Sequence, residues 1–297
     1  LDSSADYNTI SLSTMIGNTN YGLYAIGASS NLLPQNYFWG SNGGAVLDSN
    51  SRYNAIRLST MIGSASNGLL ATAADFNTVT QSVMRGGLSG VSMQTGADFN
   101  LIFLSTAISN SVGNPAIEIV NGSSNSIIRS YVQGSTAVYI SGSTGTNIGG
   151  SVLIATNTAG TALGLFDGSR SLTLSSSTLS GGALGFGLQL GLGNSGLVRV
   201  STNIFLPGAR NGVYVATQTA GTQVWITSNT ISVSTGAYGT SGVRLEGLLT
   251  GATIQNNGIY FRTRGAMGGM AAYAFSAQST LGVKFDRNRV NQPGVMV

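Results

Sequence analysis

The chain has no histidine and no cysteine. The first absence removes Ser-His-Asp triads and imidazole metal sites. The second removes thiolate nucleophiles, zinc–cysteine clusters and any disulfide framework. Charge is scarce as well: 7% of the 297 residues are Asp, Glu, Lys or Arg, against about 25% in an ordinary soluble domain. The net charge of +4 comes from 13 basic and 9 acidic residues, too dilute for the massed basic face that nucleic acid requires, so no nucleic-acid partner is expected. The one local excess (Arg262, Arg264, Lys284, Arg287 and Arg289) reads as a solvated end region. No apolar run approaches the ~18 residues that span a bilayer, so no direct membrane span is expected. The chain opens at Leu1 with neither an initiator methionine nor a basic-then-apolar leader, as expected of a processed chain or of a piece of a longer protein.

What the sequence does contain is apolar residues, 42% of the total, and 43 glycines beside only four prolines. Disordered chains are poor in aliphatics and rich in charge, so disorder does not fit. Gly, Ser, Thr and Asn are mediocre or poor inside helices, which argues against long ones. The apolar groups must then be hidden in something regular, and the regularity is visible. Asn8, Asn31, Asn54, Asn77 and Asn100 follow one another at intervals of 23 residues, with Asn125 a further 25 and Asn147 a further 22 along. A period of this size marks a solenoid. Within each unit apolar residues alternate over short runs, Ile10 and Leu12 and then Leu23 and Ala25, bounded by Gly, Ser and Asn. This is the pattern of two or three short strands with no room for a helix.

Stacking the units gives columns. Two residues after each Asn stands an aliphatic: Ile10, Leu33, Ile56, Val79 and Ile102. Nine after it stands a glycine, Gly17, Gly40, Gly63 and Gly86, as expected where the backbone takes positive φ at a corner. The asparagines belong at a tight bend, where the residue tolerates left-handed backbone and bonds nearby main-chain groups, and stacked amides can also bond one another. Pro34 and Trp39 make the second unit the weakest copy. The expected fold is all-β, a single-stranded β-solenoid of about twelve coils of ~23 residues, on the order of 55–60 Å long. Residues 1–297 form one continuous domain on this reading, with regular coils over 6–125 and looser coils with corner insertions over 126–261. An insertion and the last coil occupy 262–297, the inserted stretch being 262–280.

Recurrent Asn-x-Ile/Val-x-x-Ser with Gly-rich corners resembles the right-handed parallel β-helix of the pectate-lyase-like superfamily, in which an asparagine ladder lies at one corner. The likeness is nearest to long bacterial surface proteins of that fold, including autotransporter passengers and polymorphic outer-membrane proteins. Gly43-Gly44-Ala45-Val46 and Gly181-Gly182-Ala183-Leu184 are similar to the Gly-Gly-Ala-Ile signature of the latter. The resemblance implies right-handed coiling and Asn8, Asn31, Asn54, Asn77, Asn100, Asn125 and Asn147 as ladder residues. It also implies what an enzyme of the superfamily would need: clustered Asp with Ca²⁺ and a basic residue in lyases, or two or three Asp on adjacent coils in hydrolases.

With nine acids in the chain and no Asp-Asp pair, no catalytic set, metal site or cofactor is expected. One column merits attention. Asp6, Ser29, Arg52, Asp75 and Asp98 each stand two residues before an Asn. Arg52 is then one coil from Asp75, an exposed ion pair worth ~0–1 kcal/mol. Asp75 and Asp98 would be like charges about 5 Å apart, a candidate cation site. Beside them Tyr7, Tyr53, Phe76 and Phe99 form an aromatic column, which covers a corner, fills the core or offers sugars a stacking platform. The expected function is non-enzymatic: a structural or adhesive segment of a larger bacterial cell-surface or extracellular protein, serving as a stiff stalk, assembly unit or binding surface. Its partners would be further coils or copies of itself, and surface glycans. The alternatives are a polysaccharide lyase or hydrolase and a phage-type tail fibre or spike.

Overall fold

The computed structural model describes residues 1–234, 240–247, 249, 251–262, 272–278 and 282–291. Each coil passes through three short strands. The first lies in sheet A (Leu32–Pro34, then Ala55–Arg57), the second in sheet B (Tyr37–Gly40, then Thr60–Gly63) and the third in sheet C (Gly43–Asp48, then Asn67–Thr72). The next coil then begins directly above. Among the described residues sheet B holds 12 strands and sheets A and C hold 11 each, and strands adjacent in a sheet come from successive coils. The fold is a right-handed, single-stranded parallel β-helix, and no described helix is long and apolar enough to cross a membrane.

Period-two alternation makes this arrangement close. Sheet A points Leu33, Ile56, Val79, Ile102 and Ile127 inward in one in-register file, all buried. Ile10 is half-buried and packs against the same core. Phe38, Met61 and Met84 come in from sheet B, and Leu47, Ala71 and Met93 from sheet C, into the same narrow lumen. Each fully buried side chain of this size contributes roughly 1.5–3 kcal/mol. The file can only form if each coil returns in register, so the packing enforces the winding.

Two polar files hold the corners. Where sheet C hands over to sheet A, Asn31, Asn54, Asn77, Asn100 and Asn125 are buried. Each presents its side-chain oxygen to the backbone N–H of the asparagine one coil earlier, at 2.8–3.0 Å from Asn8 onward. Between sheets A and B a second file runs through the described length of the rod. It includes Ser59, Ser82, Ser105, Ser130, Ser151 and Ser177 and ends in Asn203, Asn229, Asn257 and Asn288. Every side chain accepts the backbone N–H of the residue one coil before it. The sequence carries this file as the 23-residue recurrence of Ser59, Ser82 and Ser105, the closing serine of the Asn-x-Ile/Val-x-x-Ser motif.

Four expectations need correction. Asn147 is not in the asparagine file: it pairs with Ser126 in sheet A, while Ile148 matches Ile127. The corner before it has shortened, so Thr146 occupies the buried register position and Asn147 is only half-buried. The asparagines are not the left-handed residues either. The residue before each one is, with φ of 57° at Tyr53, 56° at Phe76 and 55° at Phe99. Its own N–H keeps the ladder going around the bend, to Asp75 O, Asp98 O and Ser123 O respectively. The glycine column is not at positive φ. A Cβ on Gly63 would run into the Asn67 carbonyl oxygen, and one on Gly86 into that of Ser89. These glycines are there because the chain folds back on itself at the corner between sheets B and C. Last, the stretch assigned to an insertion contains a strand, Ala272–Gln278, paired with Thr240–Glu246 in sheet C. Residues 263–271 and 279–280 of that stretch, Arg264 among them, lie outside the described residues.

The looser spacing of later coils is real. Successive members of the second polar file are 26, 28 and 31 residues apart from Asn203 on. Much of the added length sits between sheets B and C, where the connection grows from 18–20 in the first coil to 156–162 and 181–185 later.

Candidate functional site

At the corner between sheets C and A the structure brings together Arg52, Asp75 and Asp98. Arg52 Nη2 lies 3.1 Å from Asp75 Oδ2 and also donates to Asn50 Oδ1. The other Asp75 oxygen accepts the backbone N–H of Asp98 at 3.0 Å, and Asp98 Oδ1 accepts that of Ser123 at 2.6 Å. Asp6 does the same for Ser29. Each carboxylate therefore clamps the following coil through its main chain. Both Asp75 oxygens are engaged by donors, which is the geometry of a structural clip and not of a paired acid.

The aromatic column stands outside the core, with Tyr53 59% and Phe99 51% exposed. Tyr53 and Phe76 stack at 5.1 Å and 14°, Phe76 and Phe99 at 4.8 Å and 3°. Tyr7 is cut off from the stack by Ser30. Phe76 is thus sandwiched between Tyr53 and Phe99, and the three rings roof the left-handed corner while leaving the outer rings of the stack largely exposed.

A different constellation lies on the outer face of sheet C. Consecutive strands present Ser92, Glu118, Tyr139, Gly164, Gln189, Tyr214 and Arg244 in one register file. From Glu118 to Arg244 this file is about 24 Å long, at ~4.8 Å per strand. Period-two alternation turns these side chains outward, and the next coil supplies their partners. Tyr139 donates its phenol to Asp167 Oδ2 at 3.3 Å, an oxygen that also accepts from Ser141 at 2.8 Å. Tyr214 donates to Glu246 Oε2 at 2.7 Å, and Arg244 pairs with the other oxygen. Glu118 accepts from Ser92, and Thr161 donates to Gln189. Gly164 leaves a notch in the file, and the Phe166 ring lies across it, stacked on Tyr139 at 5.2 Å. Phe186 sits 5.0 Å from Tyr214.

Electrostatics follow from this pairing. Burial and the Glu246 carboxylate push the Tyr214 phenol up to about 12. Burial likewise raises Tyr139, with the Asp167 and Glu118 charges adding to it and the Ser141 hydrogen bond opposing. Glu246 is held below its ordinary value by the Tyr214 hydrogen bond and the Arg244 guanidinium. Both tyrosines are therefore neutral donors at neutral pH. Among the described residues no three acidic groups gather as a metal site would need. What the row offers is flat aromatic surface alternating with carboxylate, amide and guanidinium groups. Sequence reasoning missed it because each Tyr and its acid are separated by intervals that change from coil to coil.

No protein-family model matches the chain, and no curated protein matches it in sequence. Solved structures do share its fold. A surface adhesin of Streptococcus pneumoniae, PfbA, superposes over 95% of this chain and 85% of its own, with a TM-score of 0.53 and 9% identity. A mutant tailspike protein of E. coli bacteriophage HK620, in complex with a pentasaccharide, superposes over 91% of this chain with a TM-score of 0.54 and 11% identity. The Dettilon tailspike protein covers 94%, with a TM-score of 0.52 and 14% identity. The chain spans 55% and 61% of those two tailspike chains. These likenesses establish a β-helix of the kind that adhesins and tailspikes share.

Proposed function

We propose that the chain is a non-enzymatic, glycan-binding segment of an extracellular or cell-surface β-helical protein, taking an extended oligosaccharide along sheet C between Glu118 and Glu246. The observation that carries this reading is the pairing of an aromatic ring with a carboxylate on that face, Tyr139 with Asp167 and Tyr214 with Glu246. Saccharides present C–H faces that pack on aromatic rings and hydroxyls that donate to carboxylates and amides, so a few placed polar groups on an apolar floor suit them. The surface adhesin and the pentasaccharide-bound tailspike among the similar structures support a surface location and a sugar ligand. A second copy of the chain is the other partner proposed, along an apolar strip of exposed Tyr7, Leu12, Tyr53, Leu58, Phe99 and Leu104 that borders sheet A in the first coils.

Glycan-array screening of the full chain, followed by calorimetry on the hits, tests this. Tyr139→Ala and Tyr214→Ala should each weaken binding about tenfold, ~1.4 kcal/mol. Binding that survives both substitutions intact would place the ligand elsewhere. A hydrolytic reading has one observation in its favour: Glu118 on the strand before Tyr139 and Asp167 just past the end of the strand after it both act on its phenol, and glycoside hydrolysis uses two carboxylates. Release of reducing ends from a bound glycan, lost in Glu118→Gln, would replace the non-enzymatic reading.

A further inference from the structure

The outer face of sheet A, at the far end from the apolar strip, carries a chemically different arrangement. Thr173, Arg199, Trp225, Thr253 and Lys284 stand in register on consecutive strands. The Arg199 guanidinium carbon lies 5.0 Å from the centre of the Trp225 ring and covers the face on its own side. On the other side the adjoining strand offers only the half-buried Thr253, and the strand after that offers Lys284. Neighbouring strands are ~4.8 Å apart, so the register positions of Trp225 and Lys284 stand about 10 Å apart with Thr253 between them. The slot over Thr253 between those positions is wide enough for one ring laid flat against the indole. Trp225 is 39% exposed, and Arg199 and Lys284 are exposed. The nearby acid is already engaged: Asp286 accepts from Gln255 Nε2 at 3.0 Å and lies 3.5 Å from Arg287 Nε.

We infer that this slot binds a carboxylate-bearing sugar, a uronic acid within an acidic polysaccharide, separate from the sheet C face and independent of what binds there. The C–H face of the pyranose lies on the uncovered face of Trp225, and its carboxylate meets the Lys284 ammonium. Arg199, stacked on the far face, fixes the indole and adds positive potential, as guanidinium–aromatic stacking does. A neutral sugar would keep the stacking and lose the charge contact, whereas a bare anion would lose the stacking. The slot thus selects for both features together.

The composition makes the test direct, because the chain has two tryptophans, Trp39 and Trp225, and a single lysine, Lys284. In a Trp39→Phe background Trp225 alone reports, and its emission is followed while the full chain is titrated with tetragalacturonate or with maltotetraose as the uncharged control. The expected result is a saturable change with tetragalacturonate and a response about fivefold weaker with maltotetraose. Lys284→Gln, or about 0.5 M salt, should weaken the acidic ligand by a similar factor, since an exposed charge contact is screened. Tyr214→Ala should leave the titration unchanged, so failure of the sheet C reading does not touch this one. No saturable change, equal response to both sugars, an unaffected Lys284→Gln, or loss of the signal in Tyr214→Ala would each overturn the inference. Should Trp39→Phe lower the melting temperature, calorimetry on the wild-type chain and Lys284→Gln makes the same comparison.

Discussion

Asn77 binds together parts of three coils. Its Oδ1 accepts both the backbone N–H and the side-chain amide of Asn54, at 2.9 and 3.1 Å, while its own Nδ2 donates to Ser51 O at 2.9 Å. Asn77→Ala strands a buried donor and a buried acceptor, each costing about 1–3 kcal/mol, so a loss of roughly 2–6 kcal/mol is expected in urea denaturation. Asn147→Ala, on the outer face of sheet A, should stay within about 0.5 kcal/mol. Equal effects would contradict the register described above. The sequence makes these two residues look alike, because a spacing of 22 and one of 21 differ by a single residue, yet one residue turns a side chain from core to solvent. The Tyr214–Glu246 pair makes a second prediction at this scale. The Tyr214 value is raised in the folded chain, so its contribution is whole below about 10, the unfolded value, and is lost as pH climbs toward about 12. The Glu246 value is lowered, so its contribution is whole above the unfolded value of 4.5 and is lost as pH falls through the folded one. In Tyr214→Phe the thermal melting temperature should fall less steeply than in the wild type on both limbs.

The elements owe their boundaries to corners more than to strand propensity. A Cβ at Gly63 meets the Asn67 carbonyl oxygen, whereas one at Gly113 meets nothing within 4 Å, and neither glycine is at positive φ. Gly63→Ala is therefore expected to cost about 1–3 kcal/mol through backbone displacement. Gly113→Ala should stabilise by about 0.4–1 kcal/mol, because it narrows only the unfolded ensemble. Thermal melts of the two variants check the pair, and a destabilised Gly113→Ala would count against this account. Corners also decide what could be foreseen. Over the first coils the interval is a constant 23 residues, so the aliphatic file, the asparagine file and the Arg52–Asp75 clip fall out of counting. On sheet C the partners are 28 residues apart for Tyr139 and Asp167 but 32 for Tyr214 and Glu246. Their meeting depends on how many residues each intervening corner absorbs, and composition does not encode that number. Conversely, the aromatic column is legible as a column, but only ring geometry shows that Tyr53, Phe76 and Phe99 stack face to face while Tyr7 stands apart.

For the whole molecule, the consequence of a narrow lumen is that large apolar side chains not pointing inward have nowhere to go but out. Scattered exposed aliphatics are ordinary, but here they gather on one side. Tyr7, Leu12, Tyr53, Leu58, Phe99 and Leu104, between 45% and 83% exposed, all border sheet A in the first five coils. Such a strip, interrupted only by Ser30, Gln35 and Gln81, is the candidate surface for the self-association proposed above. The same strip carries the exposed Arg57 and Asp6, so two copies side by side can match opposite charges, as self-pairing requires. The file Leu12, Gln35, Leu58, Gln81 and Leu104 supplies a clean test. All five share the left-handed backbone, φ between 48° and 57°, so glutamine already occupies the geometry that leucine does. Leu58→Gln with Leu104→Gln should therefore leave the melting temperature unchanged while weakening concentration-dependent association in sedimentation velocity by tenfold or more, ~1.4 kcal/mol. A wild-type chain that stays monomeric at the highest concentration reached would remove the self-association partner. Association that persists undiminished in the double variant would place the contact away from this strip.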